Sequence, residues 1–377
     1  MNYKTIFGVI LPSVFNFVFL ILFTKIFNTE EYIEYTIIIA LIIIPNSLFF
    51  QPFVALNKPI LSKTLSPHLS FNILYFFIII FLSIIFGYIY GFAVGLFSFG
   101  YLLFFNMNNL QKTISNLYSS KSWLFYTLLF PFLNFCILCL SFIVFKSVDL
   151  YSYFLLAGVL FILISILTTI KFYNNKIIML TDIYKKQDFI YFLRLMFVAV
   201  AMYISSHLIK IYLDKDSTKN LAALFLNIDI LLRIISVVSA YFIVEYSKVV
   251  FKKQVYPNRY IYNFVLTSSV LILVFVLFSP YIIGYVFGEE FIYNNRIILF
   301  LISLSVLFSG SLSFIDTYLN SRKKYNLLMN VYLCFFIVTF IICMCLTLLG
   351  IDKISSYYIG LIVGSFSGIL MYFNKVK

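Results

Sequence analysis

Ionisable residues set inside long apolar runs carry the chemistry of this chain. At the centre of a bilayer each costs about 2.5–3.5 kcal/mol on insertion scales, so such residues persist where protein or trapped water solvates them and by default mark a substrate or ion path. All of them lie in the second half: Arg194, His207 and Lys210 in one apolar run, Asp229 and Arg233 in the next with Glu245 at its end, and Asp316 in a later one. Asp229 and Arg233 are four residues apart, share a helix face, and are expected to pair. Arg233 stands about ten residues from either end of its run, beyond snorkelling reach at ~1.5 Å per residue. Two readings fit it, a polar lock between helices neutralised by Asp229 and a cationic wall of a water-filled cavity; the default for intramembrane charge favours the cavity. Arg194 and Lys210, near opposite ends of their run, can both snorkel, which leaves surface and substrate-facing roles open. His207 suits a hydrogen-bonded core position or a proton relay. Asp316 precedes Arg322, Lys323 and Lys324 closely enough for a loop-anchoring salt bridge. The first half offers neutral amides in its runs, Asn16, Asn46, Gln51, Asn106 and Asn134, and one rim cation, Lys25.

The elements that must position these side chains are membrane helices. Hydrophobic residues make up 63% of the 377 and charged residues 11%, whereas a water-soluble domain carries about 25% charged residues. A span needs about 20 apolar residues. Candidate spans run near 5–27, 36–56, 71–87, 90–107, 123–145, 151–172, 189–211, 221–244, 262–286, 297–318, 327–349 and 355–373, twelve in all. The third and fourth form one run interrupted by Gly87, Tyr88 and Gly91, long enough for a hairpin of two helices.

Basic residues in short loops orient the chain. Eighteen fall on one side, among them Lys58, Lys63, Lys171, Lys176, Lys185, Lys186, Lys252, Lys253 and Arg322, against six on the other, where most acids also lie. Both termini are therefore expected in the cytoplasm, in an inner membrane. The net charge of +13 is scattered through these loops rather than gathered on one aromatic-studded face, which argues against nucleic acid and for anionic lipid. Cys136, Cys139, Cys334, Cys343 and Cys345 all sit in spans as small apolar side chains; the C-x-x-C spacing of the first two has no His or acid beside it. No metal constellation, nucleophile triad or phosphate-cradling glycine loop is present, and no cofactor is expected.

The longest polar interval, Lys171 to Asp188, divides the chain into lobes 1–175 and 176–377 of six spans each. Six spans return the chain to its starting side, so any repeat is parallel, about an axis along the membrane normal. Short loops leave no domain for nucleotide or for a catalytic site, so the protein is expected to be a transporter and not an enzyme, driven by a gradient or by its substrate. Of the prolines in or beside spans, Pro12, Pro45, Pro52, Pro131 and Pro280, the first lies one turn before Asn16 and marks a kink facing a cavity.

Three segments resemble bacterial polysaccharide exporters. NTEEYIEY, Asn28 to Tyr35, is similar to their T/S-P-E-E-Y-G-x-Y turn, although Thr29 is not followed by Pro and Ile33 replaces the glycine. Phe287 to Gly310, opening FGEEF, resembles their F-G-x-E-Y turn, and YLNSRKKYN, Tyr318 to Asn326, resembles their Y-L-N-x-x-G-K loop without its glycine. Together with the six-plus-six layout, the chain is identified as resembling an O-antigen or capsule repeat-unit flippase of the multidrug/oligosaccharidyl-lipid/polysaccharide (MOP) exporter superfamily. The resemblance implies an all-α membrane fold, a V-shaped pair of six-helix lobes with alternating access. It also implies an undecaprenyl-diphosphate-linked oligosaccharide as substrate, membrane lipids around it, H+ or another coupling ion, and polymerase and chain-length proteins of lipopolysaccharide or capsule assembly as associates. The residue reading agrees: Arg233, Arg194 and Lys210 supply cations for a diphosphate, arginine best of all, and Asn16, Asn134, Tyr203 and Tyr212 supply polar contacts for sugar.

Three rivals make different demands. A MATE-like multidrug cation antiporter calls for buried acids, often in the first lobe, and the first lobe has none in its spans. A membrane glycan polymerase or ligase calls for a large periplasmic loop carrying Arg and His. A lipid-linked peptidoglycan-precursor flippase usually adds spans beyond twelve.

Overall fold

The structure, a computed structural model, describes residues 3–46, 48, 73–118, 120–145, 148–173, 193–200, 203, 207–213, 218–253, 258–322 and 324–376. Among these residues all regular structure is helical: α1 (Tyr3–Ile26), α2 (Thr29–Pro45), α3 (Ile73–Tyr90), α4 (Phe92–Tyr118), α5 (Ser120–Phe145), α6 (Leu150–Tyr173), α7 (Leu208–Tyr212), α8 (Thr218–Lys253), α9 (Asn258–Val286), α10 (Arg296–Ser321), α11 (Tyr325–Leu348) and α12 (Lys353–Val376). Residues 193–200 are also helical. Seven of the helices are long and apolar enough over their described residues to cross a membrane. The expected spans 36–56 and 189–211 are described only in part. Most of the polar interval 171–188, and the loop carrying Lys58, Lys63 and His68, lie outside the described residues.

The chain forms two compact units, Met1–Met196 and Phe197–Lys377. This division falls inside the expected seventh span, about twenty residues beyond the expected lobe boundary at 175/176.

In the first unit, the long apolar run folds as a hairpin over residues 73–107. Gly91 adopts φ +95°, a conformation that costs an L-residue energy and a glycine little, so α3 and α4 join through a single residue. Glycines also set how closely the helices pack. A Cβ on Gly95 would lie 2.7 Å from the Gly87 Cα, and one on Gly100 2.5 Å from the Gly158 carbonyl oxygen, so α4 meets α3 and α6 backbone to backbone. In lipid, where apolar surface gains little by leaving hydrocarbon, such close van der Waals contact is what holds helices together. Rings fill the remainder: Phe97 packs on Phe154 at 4.7 Å and Phe104 stacks on Phe161 at 5.4 Å. On the opposite face of α3, Phe77, Phe81, Ile84 and Tyr88 form an exposed stripe at helical spacing, suited to acyl chains.

The second unit repeats the device in α12. Gly360, Gly364 and Gly368 recur every fourth residue, and a Cβ on Gly364 would lie 2.1 Å from Thr339 Oγ1 and 2.6 Å from the Phe335 carbonyl oxygen of α11.

Four helices, α2, α6, α10 and α12, start from side-chain caps. Asn28 Oδ1 accepts from Glu31 N at 2.9 Å while Glu31 Oε2 accepts from Asn28 N at 3.0 Å, a complete capping box before α2. Asp149 accepts from Ser152 N at 2.8 Å, Asn295 from Ile298 N at 3.1 Å, and Asp352 from Ser355 N at 2.8 Å. Asn and Asp at these turns satisfy amides that the helix leaves without partners, and the acids also suit the positive helix end. Three of the acids in those turns, Glu31, Asp149 and Asp352, are thus helix-starting residues.

Candidate functional site

Lys210 of α7 and Asp229 of α8 meet in the second unit. His207 has φ −125° and ψ −27°, outside helical values, so α7 begins afresh after it and carries Lys210 as a separate short piece. Helices broken at membrane depth recur at transporter binding sites, where loosened backbone lines protein or water rather than lipid. Lys210 Nζ reaches Asp229 Oδ1 of α8 at 2.5 Å. Lys210 is 4% exposed. It does not snorkel, and the pair bridges two helical elements.

This corrects the expected Asp229–Arg233 pair. Their spacing permits it, but the ammonium of Lys210, on its flexible stem and in the same apolar surroundings, takes the carboxylate. Among the described residues the Arg233 side chain makes no ion pair and no hydrogen bond; the residue is half-buried, and its backbone carbonyl accepts from Ser236 Oγ at 2.9 Å. The Lys210–Asp229 pair and the Arg233 guanidinium thus meet α8 one turn apart.

Aromatic and amide groups surround the pair. The Tyr203 ring lies 5.4 Å from His207, and His207 is close enough to Lys210 and Asp229 to feel both charges. Tyr357 and Tyr358 of α12 are buried, the first near Tyr203 and the second near Asp229. Asn227, fully buried two residues before Asp229, donates to the Ala223 carbonyl at 2.7 Å and lies 3.5 Å from that of Phe291. Phe291 belongs to the short 3-10 turn Glu289–Phe291, which starts from Gly288 at φ +120° and tucks Phe287 and Phe291 into the core. The FGEEF segment is thereby fastened to the helix that carries the charges.

The other expected residues lie apart from this cluster. Asp316 of α10 accepts from Asn320 Nδ2 at 2.9 Å, and Arg322 lies over the Tyr318 ring at 5.6 Å. Asn16 and Arg194, both half-buried, belong to the first unit. Sequence reasoning missed Asn227, Tyr357, Tyr358 and the α12 glycines. An amide two residues from a mid-span acid, and the run GLIVGSFSG, were available signals for the first and the last.

Groups outside the spans show plain effects. Hydrogen bonds from Ser152 hold the Asp149 carboxyl below the usual aspartate value, while burial, and to a lesser degree Asp352, raise the Tyr293 phenol. Among the described residues no cluster of three His, Cys, Asp or Glu side chains could hold a metal.

No family model and no curated protein matches the sequence. Solved structures do match in fold. The lipid II flippase MurJ, in an inward closed conformation, aligns over 100% of this chain and 87% of its own, at 13% identity and TM-score 0.68. A eukaryotic MATE transporter aligns over 99% and 92% at 13% identity and TM-score 0.59. A MOP superfamily transporter from Pyrococcus furiosus aligns over 98% and 92% at 12% identity and TM-score 0.57. The chain is a multi-pass membrane protein with the fold shared by the MurJ flippase and the MATE transporters.

Proposed function

We propose that the protein is a flippase that carries undecaprenyl-diphosphate-linked oligosaccharide repeat units from the cytoplasmic to the periplasmic leaflet of the inner membrane, for O-antigen or capsule assembly. One observation carries the reading: Arg233, mid-helix on α8, has no carboxylate within ion-pairing reach among the described residues. A guanidinium held there needs an anion or water, and a diphosphate is the anion that its planar fork fits best. Lys210, committed to Asp229, supplies charge only when that pair opens. The flippase among the structures of similar fold acts on lipid II, itself a lipid-linked substrate by name. A MATE-like cation antiporter is the second reading, since MATE transporters share the fold. It is the weaker one, because the acids described in the first unit, Glu30, Glu31, Glu34 and Asp149, stand in the first two turns of α2 or just before α6.

The deciding experiment deletes the gene and analyses lipid extracts. Accumulation of a lipid-linked oligosaccharide, restored to normal by wild type, partly by Arg233→Lys and not by well-expressed Arg233→Ala, is the expected outcome. Normal surface glycan in the Arg233→Ala strain removes the residue from the substrate path.

A further inference from the structure

Between α8, α10 and α11 the second unit holds a cavity of about 190 Å³ that contains none of the charged residues above. At about 30 Å³ for each water displaced, this is room for roughly six waters, the bulk of one six-membered ring with its substituents and far less than an oligosaccharide. Four serines line it, Ser236, Ser239, Ser309 and Ser313. A serine hydroxyl has one proton and two lone pairs, and here protons are already committed: Ser236 Oγ donates to the Arg233 carbonyl at 2.9 Å, Ser309 Oγ to Val306 at 3.1 Å, and Ser313 Oγ toward Ser309 at 3.5 Å. What these three can offer a guest is lone pairs. Tyr332, 2% exposed, lines the same cavity, and among the described residues its hydroxyl has no hydrogen-bond partner. Leaving a buried phenol unsatisfied is costly, and native structures rarely do so without a ligand or water in reach. Phe335, 1% exposed, gives the cavity an apolar wall.

The walls are mostly apolar, with Leu232, Ile235, Val306 and Leu312 beside the Phe335 ring, and their polar points are serine lone pairs and one phenol, which suits a neutral guest that presents an apolar ring and a few hydroxyl donors. They do not suit an anion, which finds few protons here. We propose that this cavity binds a single sugar ring of the exported glycan, with the Tyr332 hydroxyl bonding one ring substituent and the serines accepting from sugar hydroxyls. The inference rests on the flippase reading and adds to it a place for sugar separate from the diphosphate-binding cation.

Saturation-transfer NMR on the full chain in nanodiscs, with D-glucose, D-galactose and N-acetyl-D-glucosamine as probes, tests it. At least one sugar should show transfer with wild type. Tyr332→Phe, which removes a hydroxyl without a hydrogen bond among the described residues and so should leave folding intact, should weaken that binding about tenfold. The Ser309→Ala, Ser313→Ala double variant, checked for folding by size-exclusion profile, should weaken it as well. No transfer from any of the three sugars, or equal binding by both variants, overturns the proposal. Thermal stabilisation by Na+ that the serine variant loses, with sugar binding unchanged, reassigns the cavity to a cation and equally overturns it. The two readings fail separately: a deletion strain with normal glycan export refutes the flippase, whereas export that depends on the protein together with sugar binding indifferent to Tyr332 refutes only the sugar subsite.

Discussion

Asp229→Ala would leave the ammonium of Lys210 in a site where the residue is 4% exposed and its partner carboxylate was 2.5 Å away. Removing one member of a buried pair typically costs about 3–5 kcal/mol, because the survivor keeps its desolvation penalty and loses its attraction. Asp229 retains some access, with 18% of its side chain exposed, so the lower part of that range applies, about 3 kcal/mol. At roughly 2–4 °C per kcal/mol for a domain near this size, the purified protein should melt about 6–12 °C lower. Replacing both partners by apolar residues of similar volume, Asp229→Leu with Lys210→Met, strands no charge and should recover most of the loss. Combining Asp229→Ala with Arg233→Leu should recover nothing, since Arg233 is not the residue left stranded. Fluorescence-detected thermal unfolding of detergent-purified wild type, single and double variants completes the cycle. Strictly additive losses for the Lys210 and Asp229 changes, or rescue through Arg233 in place of Lys210, would refute the assignment of the pair.

Other expectations follow from packing, capping and charge. Gly364→Val should abolish folded protein, since even its Cβ would sit 2.1 Å from Thr339 Oγ1, while Gly350→Ala, open to space but at φ +83°, should lower stability by only about 1 kcal/mol in the same melting assay. Asn28→Ala breaks both arms of the capping box and should cost about 1 kcal/mol, whereas Asn28→Ser should retain most of it. The folded Asp149 carboxyl titrates below its usual 3.8, so its stabilising contribution is complete above that value and fades as pH falls through the lower folded one; Asp149→Asn should flatten that acid limb of the melting profile. Cysteines introduced at positions 176 and 253, with the native cysteines removed, should resist a periplasm-restricted maleimide, and labelling there would invert the topology.

How much of this was legible in the sequence depended on whether a residue's partner was local. Span positions, the hairpin at Gly91 and the helix-starting turns follow from apolar run length and from turn chemistry within a few residues, and the described helices bear out the hairpin and the spans they cover. The partner of Asp229 did not follow. Helical spacing identifies Arg233 as a neighbour on the same element, but Lys210 comes from a different helical piece, and only the break after His207 sets it across from the carboxylate. Spacing gives the candidates and tertiary placement chooses among them. The same limit hid the serine cavity: Ser236 and Ser239 read as ordinary membrane-helix serines until Ser309, Ser313 and the partnerless Tyr332 hydroxyl are brought against them from two other helices. The α12 glycines are the opposite case, a visible four-residue repeat whose use appears only when α11 approaches to backbone contact. A polar residue inside a span therefore announces from sequence that it needs a partner, and the fold decides which one. At Arg233 the fold provides no carboxylate among the described residues, and that is why the substrate is the partner proposed for it.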